Sequence, residues 1–254
     1  MRIAISGTAC TGKSTLIADM IKKWPKYTTP AKTYRALLKD TPHSKQCNKD
    51  GQWAILNHLI DDLQKYTKDD MVLFDRAPLD NLIYSMWSFD KGASDIDEPF
   101  IEKCIPLVRE SMRLLDIIFF IPLTKSSPIT IVDDKTREVD PLYITEIDHL
   151  FKAILQQFNK APENSVFFPK GDAPAIIEIF GKPAERIYLI DQYLNEDGDI
   201  IGAEGDTVLN PEMLKSIEQL YAQQTEELKL SKNVDFQKDL IKKYEKKIGK
   251  KLIN

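Results

Sequence analysis

The sequence predicts an α/β fold: a doubly wound parallel sheet of about five strands with a C-terminal helical tail. Two observations carry this prediction. Short apolar runs at residues 2–6, 71–74, 117–121 and 186–190 alternate with longer segments of helical periodicity, and strands separated by helices of that length pair in parallel through right-handed crossovers. The first run also leads straight into Gly7-Thr8-Ala9-Cys10-Thr11-Gly12-Lys13-Ser14, a turn of the form G-x-x-x-x-G-K-[ST] that joins a strand to a helix.

The elements follow in order. Residues 2–6 are short, apolar and partly β-branched, as suits a buried parallel strand. Leu16, Ile17, Met20, Ile21 and Trp24 then recur at helical spacing until Pro25 ends the pattern. Residues 26–44 are mixed and polar, with Pro30 and Pro42 as punctuation, and are expected to hold a short strand or an irregular, substrate-facing segment. Over residues 52–66, Trp53, Leu56, Leu59, Ile60, Leu63 and Tyr66 line one face of a long helix. Residues 71–74 make a second strand that ends at Asp75, and Leu79, Leu82, Ile83 and Met86 make another helical face. Pro99 opens a helix whose Ile101, Ile105, Val108, Met112 and Leu115 point inward. Ile-Ile-Phe-Phe-Ile at 117–121 is the most strand-like run, and Asp140-Pro141 caps and starts a helix carrying Leu142, Ile147, Leu150, Phe151, Ile154 and Phe158. Residues 186–190 are expected to be the last strand. One domain over 1–205 and a helical, lysine-rich extension over 206–254 complete the expected organisation.

Composition narrows the function. The chain has 254 residues, 43% of them hydrophobic, which is ample for a real core. Lys and Arg number 35 against 39 Asp and Glu, a net charge of −4, so no global basic field recruits nucleic acid and small-molecule substrates fit better. Residues 232–254 are the exception, with eight lysines on a pattern that places Phe236, Leu240, Ile241, Tyr244, Ile248 and Leu252 at helical spacing. That basic amphipathic helix either docks its apolar face on the domain, contacts nucleic acid or a partner, or lies on a membrane surface, and docking is the simplest of the three. Cys10, Cys47 and Cys104 have no metal-binding spacing and form no even set, which favours a reducing compartment. His58 and His149 likewise lack partner spacing for a metal. No apolar run approaches a membrane span and the N-terminus enters the first strand directly, so a cytoplasmic protein with no membrane segment is expected.

The chemistry is concentrated in two places. In residues 7–14, Gly7 and Gly12 let the backbone turn sharply, so that the N–H groups of Thr8, Ala9, Cys10, Thr11, Gly12, Lys13, Ser14 and Thr15 and the following helix N-terminus can face an anion. Lys13 can then reach the β- and γ-oxygens of a triphosphate, and the Ser14 hydroxyl can bind Mg²⁺. ATP and Mg²⁺ are the expected cofactors. The second place is Asp75-Arg76, directly after an apolar strand and therefore at the carboxyl end of the sheet, where α/β proteins bind ligands. A carboxylate there can hold Mg²⁺ through water or accept a proton from an attacking hydroxyl, and the guanidinium can clamp a transferring group. Asp80, four residues on, is an alternative group to orient the acceptor.

These residues carry a resemblance. The phosphate loop with Asp75-Arg76 after a strand is similar to the nucleoside and nucleotide kinase group of P-loop proteins. The run Phe74-Asp75-Arg76-Ala77-Pro78-Leu79-Asp80-Asn81 resembles phage-encoded P-loop kinases and ATPases related to the nicotinamide riboside kinase domain. The resemblance spans residues 1 to about 200 and implies a lid over the phosphates. The candidate lid is residues 133–138, with Arg137 as its single arginine where kinase lids carry two or three. Arg137 is then either a group that stabilises the transition state on closure or a solvated loop residue. By analogy with kinases of this shape, Arg35 and His43 fall in the segment that binds substrate, and Trp53, Tyr34 and Trp87 are aromatics that either stack on a base or belong to the core. Arg109 and Arg113 share a helical face and hold either an anionic substrate or an ion-pair network. The implied activity is phosphotransfer from Mg-ATP to a nucleoside, nucleotide or nucleoside-like acceptor, with homo-oligomers allowed. Two alternatives remain: a kinase for a modified base or end in DNA or RNA, and an acceptor-free ATPase switch. A GTPase is disfavoured because no switch glutamine can be assigned.

Overall fold

The computed structural model describes residues 1–39, 44–125 and 139–201. Its strands are Arg2–Ser6 (β1), Val72–Asp75 (β2), Ile117–Phe120 (β3) and Ala175–Glu178 (β4), and its helices are Lys13–Lys23 (α1), Lys49–Gln64 (α2), Pro78–Lys91 (α3), Glu98–Ser111 (α4), Pro141–Lys160 (α5) and Pro183–Ile190 (α6). The strands pair in parallel in the order β2-β1-β3-β4. This is the doubly wound α/β sheet that the alternation of runs predicts.

Strand periodicity divides the core cleanly in two. Ala4, Val72, Phe74, Ile118 and Phe120 point to one face, into a cluster with residues of α2, α3, α4 and α5. Their neighbours Ile3, Ile5, Leu73, Ile117, Phe119 and Ile177 point to the other, against Leu16, Ile17 and Met20 of α1 and Ile190 of α6. Successive side chains of a strand alternate between faces, so a sheet buried on both sides must be apolar at every position. β3 meets that demand over its whole length and β1 over Ile3, Ala4 and Ile5, with Arg2 and Ser6 as its buried polar ends.

Three helices, α2, α4 and α5, begin where short polar side chains satisfy their first N–H groups. Asn48 accepts from Gly51 N at 2.8 Å, Asp97 from Phe100 N at 3.1 Å and Asp140 from Leu142 N at 2.8 Å. Arg113 settles the ion-pair alternative for its own face, pairing with Glu110 at 3.0 Å and with Asp172 at 3.2 Å.

Two sequence expectations need correction. Residues 186–190 are not a strand but the second half of α6. Pro183 occupies the first turn, the Glu185 carboxylate accepts from Lys182 N at 2.6 Å, and Arg186 and Ile190 are buried while Tyr188 between them is 60% exposed. That is burial at i and i+4, the helical period, which the β-branched composition of the run concealed. The remaining strand is β4, a four-residue edge whose partly exposed Ala175, Ile176 and Glu178 give too short an apolar run to stand out. The sheet therefore has four strands among the described residues, with Thr28 adding an isolated parallel bridge to Val72 beyond β2. The residue-205 boundary, the lysine-rich extension and His43 lie outside the described residues.

The segment after α6 returns to the start of the chain. Trp24 Nε1 donates to Asn195 O at 2.9 Å and the Tyr27 hydroxyl to Gly198 O at 2.7 Å, and both rings are 1% exposed.

Core truncation should be costly in proportion to burial. Phe120 is fully buried and stacks on Phe151 with ring centroids 5.4 Å apart, so Phe120→Ala should lower unfolding free energy by about 3–5 kcal/mol in urea titrations. Leu142 is 62% exposed although it falls on the apolar pattern of α5, and Leu142→Ala should change stability by no more than about 0.5 kcal/mol.

Candidate active site

The phosphate loop hangs between the end of β1 and the start of α1. Gly7 has φ 137°, and a Cβ there would lie 2.7 Å from Ile121 O, so only glycine fits between β1 and the end of β3. Cys10 and Gly12 also take positive φ, 61° and 83°. Buried hydroxyls brace the turn: Thr8 Oγ1 donates to Ile144 O of α5 at 2.9 Å, and Thr11 Oγ1 to Thr8 O at 3.1 Å. Lys13 is buried and folds over the loop, its ammonium donating to Gly7 O at 3.0 Å, to Thr8 O and to Thr11 Oγ1 at 3.3 Å. Ala9 and Cys10 are half-buried, and Ser14 and Thr15 are exposed on the first turn of α1.

Asp75 closes β2, beside Ile5 of β1 in the sheet register. Arg76 follows with φ 93°, a conformation rare outside glycine, and the turn carries the chain into α3. Four bonds hold the Arg76 guanidinium: Nε to the Tyr34 hydroxyl at 2.8 Å, Nη1 to Gly7 O at 3.2 Å and to Asp80 Oδ1 at 3.1 Å, and Nη2 to the Tyr84 hydroxyl at 3.2 Å. The rings of Tyr34 and Tyr84 lie 5.5 and 4.9 Å from its carbon, within cation–π range. Burial pushes the Tyr84 phenol up from its ordinary value, ahead of the opposing pull of Arg76, which keeps it a protonated partner.

Asp80 occupies a different place from the expected one on the acceptor. It is fully buried, and its carboxylate accepts from Ser6 Oγ at 2.7 Å, Gly7 N at 3.3 Å and Ala77 N at 3.1 Å as well as from Arg76. Burial raises its pKa, and the pulls of Arg76, Ser6 and Lys13 work against that rise. Every one of these contacts runs to the end of β1, to the loop, to Arg76 or to the head of its own helix, so Asp80 braces the site from beneath.

A cavity of about 300 Å³ opens beside the loop, with Ser14, Tyr34, Asp75, Arg76 and Asp62 of α2 in its wall and Ile17, Leu59 and Leu73 as apolar lining. It thus brings together residues from both segments singled out in the sequence. Ser14 and Asp75 offer the hard oxygen ligands that Mg²⁺ takes, a hydroxyl and a carboxylate on one cleft. Among the described residues no group of three or more His, Cys, Asp or Glu is assembled to hold a metal by itself. Trp53 is elsewhere: it packs edge-on to Phe100 at 6.4 Å with the Lys103 ammonium 3.6 Å from its ring centre. Trp87 is core, its indole donating to Glu146 at 2.8 Å. The side chain of Arg35 and the whole of Arg137 lie outside the described residues.

The structure also adds residues that the sequence did not single out. Ser6 and Tyr84 join the Asp80–Arg76 network, and Asp80 and Tyr84 stand one helical turn apart on α3, a spacing visible in the sequence. Asp62 enters the cleft held by Lys65 at 2.7 Å.

Asp80→Ala would strand the Arg76 guanidinium and two backbone N–H groups, and should lower stability by about 3–5 kcal/mol in equilibrium unfolding. Tyr34→Phe removes one hydroxyl acceptor at the edge of the same network and should lower it by about 1 kcal/mol.

Comparison with known proteins places this geometry. Twenty-seven chains of solved structures match. Two are complexes of deoxyadenosine kinase from M. mycoides. The complex with products dCMP and a flexible dCDP is 19% identical with a TM-score of 0.52, over 75% of this chain and 96% of that one. The dATP complex is 20% identical with a TM-score of 0.52, over 75% and 97%. A NadR protein in complex with NAD and AMP-PNP is 13% identical with a TM-score of 0.50, over 79% of this chain and half of that one. At such identities the likeness establishes the fold, that of P-loop kinases. No curated protein matches the chain. A protein-family model described as an AAA domain matches residues 2–166. Spanning most of the sheet and the whole phosphate loop, that match shows that the chain belongs to this AAA domain family of P-loop proteins.

Proposed function

We propose that the chain is a Mg-ATP-dependent phosphotransferase acting on a nucleoside, nucleotide or nucleoside-like small molecule. One observation carries the reading: Ser14 of the phosphate loop and the Asp75-Arg76 pair share the wall of a single cavity of about 300 Å³, a size suited to a small organic acceptor. The deoxyadenosine kinase and NadR folds support it.

In this reading the loop N–H groups and Lys13 take the β- and γ-phosphates. Ser14 and Asp75 hold Mg²⁺, which when bound neutralises charge on the phosphate oxygens. In the same reading Asp75 accepts the proton of the acceptor hydroxyl. Arg76, fixed from behind by Asp80, Tyr34 and Tyr84, presents a positive charge to the cleft without having to reorganise, which is how preorganised groups lower a barrier. Asp80 acts as a positioning residue. The rate would come from positioning and charge stabilisation, since little covalent chemistry falls to the protein in phosphoryl transfer. The family description favours a second reading, an ATPase that needs no acceptor.

Acceptor dependence separates the two. ADP release should rise on addition of one member of a panel of nucleosides and nucleotides, whereas a constant rate across the panel would favour the ATPase. Lys13→Ala should reduce turnover by on the order of a hundredfold or more. Asp75→Asn should lower kcat by about a hundredfold while leaving ATP affinity nearly unchanged, as loss of a group used in the transition state requires.

A further inference from the structure

Arg186 reaches the phosphate loop from the far end of the described chain. It lies on α6, is 7% exposed, and donates from Nε to Gly181 O at 2.8 Å and from Nη1 to Thr11 O at 2.6 Å. A Cβ on Gly12 would stand 3.0 Å from Nη1, so the guanidinium rests directly against the loop. Both acceptors are backbone carbonyls. Burial pulls Arg186 below the ordinary arginine value, and no carboxylate of the described residues opposes it. A buried cation paired only with neutral oxygens is unusual, because ions leaving water are normally paired with an opposite charge.

The bond to Thr11 has a geometric consequence. In a planar trans peptide the C=O of one residue and the N–H of the next point in opposite directions. Fixing Thr11 O toward Arg186 therefore fixes Gly12 N–H away from it, across the loop.

We propose that Arg186 is a positioning residue for the triphosphate: it aims the Gly12 N–H into the phosphate cradle and adds positive charge behind it. The helix that follows the last strand is thereby part of nucleotide binding. The inference rests on residues 7–14 binding phosphate and is independent of what the acceptor is.

Calorimetric titration of the full chain with Mg-ATP and, separately, with inorganic tripolyphosphate tests it. Arg186→Met should weaken both ligands by roughly tenfold to a hundredfold, the range expected for losing charge-assisted hydrogen bonding. Arg186→Lys keeps the charge but cannot span both carbonyls, and should weaken both by less; it decides the matter if the methionine variant does not fold. Ile190→Ala, which loosens the packing of α6 without touching the loop, should lower Tm and leave both affinities unchanged. Unaltered affinity in the folded Arg186 variants would overturn the proposal. So would a loss for ATP alone, which would put Arg186 on the base or ribose, or an equal loss in Ile190→Ala, which would make the effect one of general stability. Failure of the unaltered protein to bind either ligand would instead overturn the phosphate-loop reading itself, and this proposal with it.

Discussion

The site depends on one buried carboxylate. Asp80 gathers the last residue of β1, the first N–H of the phosphate loop, the guanidinium after β2 and the head of α3 onto two oxygens. A buried ion is tolerable only when its lone pairs are filled, so the four donors must hold their places together. Two strand ends adjacent in the sheet are thereby locked in register at the point where the chain stops being regular. Arg76 can then adopt a left-handed backbone at φ 93° because its side chain is tied on four sides.

The same economy governs the loop. Three of its residues take positive φ, and the turn packs against Ile121, Ile144 and Arg186, which come from three different parts of the chain. Its shape is fixed by tertiary contacts as much as by its glycines. The cleft beside it is bounded by α1, the segment holding Tyr34, α2 and β2, so stretches distant in sequence meet at Ser14, Asp75 and Arg76.

How far the sequence could be read followed from where its signals were local. The phosphate loop, β1 to β3 and α1 to α5 each carry a signal within a short window: a motif, an apolar run, a cap. Asp75 and Arg76 were legible because a strand end in a parallel sheet is a predictable place. Residues 186–190 misled because Ile and Tyr favour strands, while the helix is set by Pro183 and Glu185 upstream and by which two side chains find a core. Asp80 was found but given the wrong direction, since sequence spacing marks it as near the site without saying which side of the backbone it faces. Arg186 is a contact across 175 residues, and nothing local announces it.

The packing of Trp24 and Tyr27 against Asn195 and Gly198 bears on where the domain stops. The family match ends at residue 166, before β4 and α6 have been made. A fragment cut at that limit would lose the strand that covers β3 and would lay bare two of the largest buried rings in the protein. Evolutionary recognisability and mechanical completeness therefore have different boundaries in this chain. The stretch that the family match covers is shorter than the stretch that packs together, which among the described residues reaches Gly198.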